Sequence, residues 1–355
     1  MPDGFSPGFI PSRHRPSPEM QRMLGVLHRV MPAAAKPDPA QWQCMGEDFM
    51  VGDPPMDRLL DAVAGRDVAG DAATTVLVSI RLPRIAGALL VGAALAAAGA
   101  CYQTLFRNPL VSPDILGVSA GAGLGAVLGI FLSLPVAAIQ FMGFAGGLGA
   151  VALVGFVAAA IRHGDRTLIL VLAGVVVGAL TGAATSLLKV LADPYDQLPA
   201  ITFWLLGSLA GVKGEDIWPA APVVLAGLVP LVLLRWRINV LSLGDEEARA
   251  LGIEAARLRL AVVVCATLVT ASVVAIAGVV GWVGLVIPHI ARMLVGPGFG
   301  RLLPVAALLG AAYLLVVDTL ARTISSVEVP LGILTAVVGA PFFLWLLARG
   351  RRAWA

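Results

Sequence analysis

Long apolar runs, broken by short polar stretches, fill the chain from Ile85 to Leu347. A helix needs roughly 20 apolar residues to cross a bilayer. On that basis the runs at about 85–105, 115–134, 136–161, 168–191, 217–234, 260–277, 278–294, 302–320 and 330–347 are spanning candidates. The weakest, GVVGWVGLVIPHIARML at 278–294, is short and contains Pro288. The predicted fold class is all-α: a polytopic membrane helical bundle of about nine transmembrane helices. Residues 1–55 differ, being polar and rich in proline. Their most apolar piece, Met23 to Ala35, is short and carries His28 and Arg29. It reads as neither a signal peptide nor a span, and the segment is expected to be poorly ordered. The chain thus divides into an N-terminal segment 1–55, a membrane domain 56–350 and a short tail 351–355.

Composition supports a bilayer environment. The 355 residues are 58% hydrophobic and 13% charged, with mean hydropathy +0.89, where ordinary domains carry about a quarter charged residues. The net charge of +3 is scattered among loops without a basic block, which argues against nucleic acid as a partner. Cys44, Cys101 and Cys265 lie far apart and suggest neither a disulfide framework nor a zinc site.

Orientation follows from the basic residues. With a cytoplasmic C-terminus the inner side collects Arg107, Arg162, Arg166, Arg235, Arg237, Arg249, Arg257, Arg259, Arg292, Arg301, Arg349, Arg351 and Arg352. The outer loops keep only Lys189, Lys213 and Arg322, together with Arg81 and Arg84. This is the positive-inside bias, and it places Arg81 and Arg84 outside, against the same rule.

Several patterns carry chemistry or packing. Glycines at 117, 121, 125 and 129, and at 174, 178 and 182, give smooth helix faces for close packing, with a pore wall as the lesser reading. In RWRINVLSLGDEEARALGIEAARLR, Ser242 and Asp245 have capping-box spacing and Gly252 is a natural stop. The predicted short helix carries Leu243, Ala248 and Leu251 on one face, either resting on headgroups or presented to a partner. Asp318 and Arg322 share a helix face near the outer edge. His289 follows Pro288 inside a span, and the simpler reading pairs it with a backbone carbonyl that the proline frees. No GxxxxGK[ST], HExxH or CxxC occurs, so the chain does not hydrolyse ATP by itself.

Taken together, RLPRIAGALLVGAALAAAGACYQTLFRNPL, SPDILGVSAGAGLGA, LSLGDEEARALGI, GWVGLVIPHIARMLVGP, DTLAR and VPLGILTAVVGAPFFLWLL resemble the FecCD family. These are the permeases of ABC importers for iron-siderophores, haem and cobalamin. The resemblance covers about residues 56–350 and implies a homodimer of ten-span permeases around a central path in the cell (inner) membrane. Two ATPase subunits would consume ATP, a substrate-binding protein would dock outside, and the chain itself would bind no cofactor and no metal.

Residue by residue, the resemblance implies docking arginines at Arg81, Arg84 and Arg322. It implies an ATPase-coupling stretch of Leu243, Gly244, Glu246, Ala248, Leu251 and Gly252, and gate or path positions at Asn108, Leu110 and Thr167. The family's first membrane helix, which precedes RLPR, has no counterpart in residues 1–55. The expected cargo is an iron chelate (siderophore or haem), with cobalamin as the alternative within the family. An ion-coupled secondary transporter, built on intramembrane ionisable groups such as His289 or Asp318, is the competing class.

Overall fold

The computed structural model describes residues 77–161, 166–325 and 327–349. The N-terminal segment 1–55, the tail 351–355, Cys44 and Arg162 lie outside them, as do the side chains of Arg166 and Thr167. Among the described residues there is no strand. One turn of π-helix, Leu77–Arg81, leads into α1 (Leu82–Leu105), and a 3-10 turn, Pro113–Leu116, leads into α2 (Val118–Phe131). Then follow α3 (Val136–Ala160), α4 (Arg166–Leu191), α5 (Gln197–Leu206), α6 (Gly214–Leu233), α7 (Arg235–Leu241) and α8 (Asp245–Ala250). The chain ends with α9 (Ala255–Ala277), α10 (Val283–Val295), α11 (Phe299–Thr323) and α12 (Leu331–Arg349).

Among the described residues six helices are long and apolar enough to cross a membrane: α1, α3, α4, α6, α9 and α11. The remaining predicted spans are helical but shorter. α2 has 14 residues and α10 only 13, and at ~1.5 Å per residue α10 is about 20 Å long, short of the roughly 30 Å hydrocarbon layer. The break before α10 explains its length. α9 stops at Gly278, whose φ of 68° suits a residue without Cβ, and the chain then runs unwound to Trp282. Gly284, at the start of α10, meets Gly99 of α1 backbone to backbone. Gly99 lies fifteen residues beyond Arg84, or about 22 Å down the helix. α10 therefore begins partway down the bundle. Such unwound backbone is tolerated at membrane depth where protein covers it, and here α12 does so, with Gly339 against the Trp282 ring.

α1 is the central helix. It buries 72% of its spanning window, whereas α4 on the periphery buries 17%. Composition allows this, because alanine and glycine on every face let neighbours approach closely. A Cβ at Gly92 would strike the Gly310 carbonyl of α11, and one at Gly99 the Gly284 carbonyl. The predicted glycine stripe works the same way between α2 and α3: Cβ atoms at Gly121 and Gly125 would collide with the carbonyls of Gly146 and Met142. Three members depart from the pattern. Gly117 ends the 3-10 turn with φ 77°, and Gly178 and Gly182 face open space although Gly174 packs on Ile115.

Polar side chains inside the bundle are mostly satisfied locally. Thr181, Thr185, Thr270 and Ser272 donate to carbonyls of their own helices, the expected solution where water is excluded, and Ser186 and Thr319 on exposed faces do the same. Tyr102 on α1 meets the Thr267 hydroxyl on α9 at 2.9 Å. Gln103 donates to the Leu285 carbonyl of α10 at 3.0 Å. The Nδ1 atom of His289 has no hydrogen-bond partner, so no carbonyl is bonded at that nitrogen.

Candidate functional site

α1 and α11 lie side by side, and the start of one meets the end of the other. Arg84, in the first turn of α1, donates from Nε to both Asp318 oxygens on α11, at 2.9 and 3.0 Å. Its Nη1 and Nη2 reach the Glu328 carboxylate at 3.1 and 2.5 Å, and Nη2 also lies 2.8 Å from Asp318 Oδ1. One planar guanidinium thus serves two carboxylates, which is the geometry its fork of donors favours. Arg322 approaches Asp318 at 3.5 Å, in the i,i+4 relation that the sequence suggested, and Ser208 comes within 3.4 Å of Glu328. Two cations therefore balance two carboxylates. Asp318 is fully buried and the Arg84 side chain is 9% exposed. At those positions neither charge is tolerable without the other.

This arrangement divides the three arginines expected to face an external partner. Arg322 keeps 36% of its side chain exposed, and Arg81 is half-buried at the end of the π turn and carries an interaction of its own. Arg84 turns inward, with its donors taken up by Asp318 and Glu328. A residue that close to the edge is drawn in because the carboxylates of α11 and of the strap before α12 need it more than solvent does.

The opposite end carries the loop between α6 and α9. Residues 235–241 coil into α7, a helix the hydropathy pattern did not suggest, with Ile238, Val240 and Leu241 buried. Ser242 closes this turn by donating to the Asn239 carbonyl at 2.6 Å, so the predicted capping box does not form and Gly244 stands at the N-cap of α8 instead. Gly252 ends the segment in the left-handed region, φ 74°, as predicted, with Ile253 donating back to the Ala248 carbonyl at 2.8 Å.

The six residues of the expected coupling stretch fall into three roles. Leu243 and Leu251 are exposed at 64% and 56%, and Glu246 is exposed beside them. Ala248 is fully buried and anchors α8 from below. Gly244 and Gly252, with φ of 149° and 74°, supply the turns.

Asn108 and Leu110 sit together in the turn after α1. The Asn108 side chain accepts the Leu110 N–H at 2.9 Å, a local turn-closing bond, while Arg107 adopts φ 50°. Leu110 is 41% exposed.

Two residues that sequence reasoning missed hold this framework together. Glu328 completes the Arg84 cluster, and Asn239 accepts the N–H of Phe299, the first residue of α11, at 3.1 Å. Glu328 could have been suspected as a lone acid beside DTLAR, since a buried arginine needs more than one carboxylate oxygen pair to satisfy its fork. For Asn239 no local signal existed, because its partner is 60 residues away. Among the described residues no group of histidines, cysteines and acids is placed to hold a metal ion.

The model of the FecCD transport family matches residues 49–349. A Helicobacter pylori protein named "Probable iron chelatin transport system permease protein" is 43% identical over 78% of this chain and 83% of its own length. The molybdate import system permease protein MolB of Haemophilus influenzae is 42% identical, over 78% of this chain and 82% of its own length. Among solved structures, an ABC transporter described as of metal-chelate type and inward-facing superposes with a TM-score of 0.75. It is 39% identical, and the match covers 82% of this chain and 96% of that one.

Proposed function

Because the chain belongs to the FecCD transport family, we propose that it forms the membrane path of an ATP-binding-cassette importer that carries an iron chelate, a siderophore or haem complex. A second copy, two ATPase subunits and an outer substrate-binding protein complete the assembly, and the C-terminus faces the cytoplasm. ATP serves the partner ATPases, and this chain holds neither nucleotide nor metal. The observation that carries the reading is the separation of two partner-ready surfaces on opposite ends of one bundle. Exposed Leu243 and Leu251 flank a short helix on the basic-loop side, and Arg81 and Arg322 crown the other.

Leu243, Glu246 and Leu251 are the proposed ATPase contact, with Gly244, Ala248 and Gly252 holding them in shape. Arg81 and Arg322 are the proposed docking cations, to which acidic side chains of the binding protein present carboxylates. Arg84 supports them by holding Asp318, the residue that Arg322 also touches. Asn108, Leu110 and Thr167 are the proposed gate, at the cytoplasmic mouth of the path. Iron chelate is favoured by the Helicobacter pylori relative's name, while the equally similar molybdate permease marks the competing cargo.

The test is uptake of a labelled ferric siderophore, haem and molybdate into proteoliposomes holding the permease with its ATPase and binding protein. ATP-dependent uptake of the iron compounds in preference to molybdate is expected. Preferential uptake of molybdate would replace the cargo, and uptake driven by a proton gradient without ATP would overturn the reading in favour of a secondary transporter.

A further inference from the structure

α11 runs from the loop surface to the arginine surface of the described bundle, and its start is not finished by its own sequence. At its start the N-cap, Gly298, offers no side chain, and the first helical N–H, that of Phe299, is taken by Asn239 Oδ1 at 3.1 Å. The main-chain carbonyl of Asn239 also accepts the Ser242 hydroxyl, at 2.6 Å, in the turn that leads to Leu243 and α8. This residue therefore ends the helix before the exposed leucines and begins the helix that crosses the bundle. Nearby, Gly300 packs against the Arg235 stem, and Phe299 itself is fully buried.

Along its middle α11 is fixed to α1, since Gly92 and Gly310 are in backbone contact and allow neither helix to rotate or slide without a clash. Near its end Asp318 holds Arg84 and touches Arg322. A 25-residue helix is about 37 Å long, so a single continuous helix joins the loop surface to the arginine surface.

We propose that Asn239 is a positioning residue for transport: its side-chain cap of α11 is the joint through which the ATPase-facing loop and the arginine cluster sense one another. The proposal rests on the importer reading above. Asn239 lies before the stretch Leu243 to Gly252 proposed to meet the ATPase, and its side chain is exposed except where it meets α11. Removing its amide leaves both partner surfaces in place and unties them. A purely packing role predicts something else, a loss of stability without a change in communication. Coupling between two sites is reciprocal in binding free energy, so the joint is measurable from either side.

The experiment uses the full complex in nanodiscs, with Asn239→Ala and Asn239→Asp compared with the native residue. Aspartate retains the acceptor that the Phe299 N–H requires and suits a helix N-terminus. For Asn239→Ala, basal ATP hydrolysis and subunit assembly are expected to stay at native level. Stimulation of hydrolysis by the binding protein, and the change in binding-protein affinity produced by ATP, should each fall about fivefold or more. Asn239→Asp should restore both. Native coupling in Asn239→Ala would overturn the proposal, and so would loss of coupling in Asn239→Asp equal to that in Asn239→Ala. A drop in melting temperature with coupling intact also overturns it, by assigning Asn239 to packing alone. If the native permease recruits no ATPase and shows no stimulation, the importer reading fails instead, and the two failures are told apart by the native control.

Discussion

At Arg84 a single side chain has to answer to its own fold before it can answer to a partner. Its guanidinium fills the space between a fully buried aspartate and a glutamate from the strap before α12. Asp318→Asn removes one of the two carboxylates and leaves Arg84 and Arg322 with Glu328 alone, an imbalance in a mostly buried cluster that costs up to about 3–5 kcal/mol; thermal melting of the solubilised protein should show a clear loss. Arg322, at 36% exposure, contributes less than about 1 kcal/mol to stability, so Arg322→Ala should melt close to the native protein. The docking role is therefore best tested where the fold is not at stake. Arg81→Glu combined with Arg322→Glu should slow binding-protein association about tenfold at low salt and leave a residue of binding that varies less with ionic strength. Equal rates across salt would remove these two arginines from the docking surface. The sequence located these residues because charges are rare in apolar surroundings and stand out. It did not reveal that Arg84 faces inward, since burial depends on Glu328, 244 positions away, and no local pattern encodes that meeting.

Among the elements, the close pair α2 and α3 shows how far a small-residue stripe can be read. The four-residue spacing foretold backbone contact, and Gly121 and Gly125 make it with the Gly146 and Met142 carbonyls. Gly125→Val should force the helices apart at a cost of roughly 1–3 kcal/mol, whereas Gly178→Ala, facing open space, should be neutral to slightly stabilising through helix propensity. Melting temperatures of the two variants separate the cases. Periodicity misled at the boundaries for a physical reason. The run from 260 to 288 carries no charge; its division at 277/278 coincides with the end of α9 at Ala277, but hydropathy has no means of marking the unwound stretch from Gly278 to Trp282, which is as apolar as the helices beside it. α5 and α7 escaped notice because ten and seven residues fall below the length at which amphipathic periodicity is recognisable. The stop at Gly252, by contrast, rested on backbone sterics alone and was legible.

The described bundle is organised around α1, a helix made central by alanine and glycine, with α9 and α11 next to it and α3, α4 and α6 outside. The class of fold was legible because a bilayer demands long apolar helices; which helix occupies the centre was not, since every run is apolar and only side-chain size distinguishes them. The loop surface offers a test at this scale. Leu251→Asp should abolish association with the ATPase while leaving the melting temperature unchanged, because Leu251 is 56% exposed, and Ala248→Asp should do the reverse to stability, because Ala248 is fully buried. Co-purification and thermal melting of the two variants check both halves.

The Arg84 cluster also bears on how the chain is made. Its carboxylates lie 234 and 244 residues further along the sequence. As α1 enters the bilayer, Arg84 therefore has neither partner, and the cost of its charge must be met by water and headgroups at the edge. Only when α11 and the strap before α12 have been synthesised does the guanidinium find both carboxylates and draw the start of α1 into the bundle. The first helix of the described bundle is thus locked by nearly the last part translated. A permease arrested before residue 318 holds its central helix without that clasp.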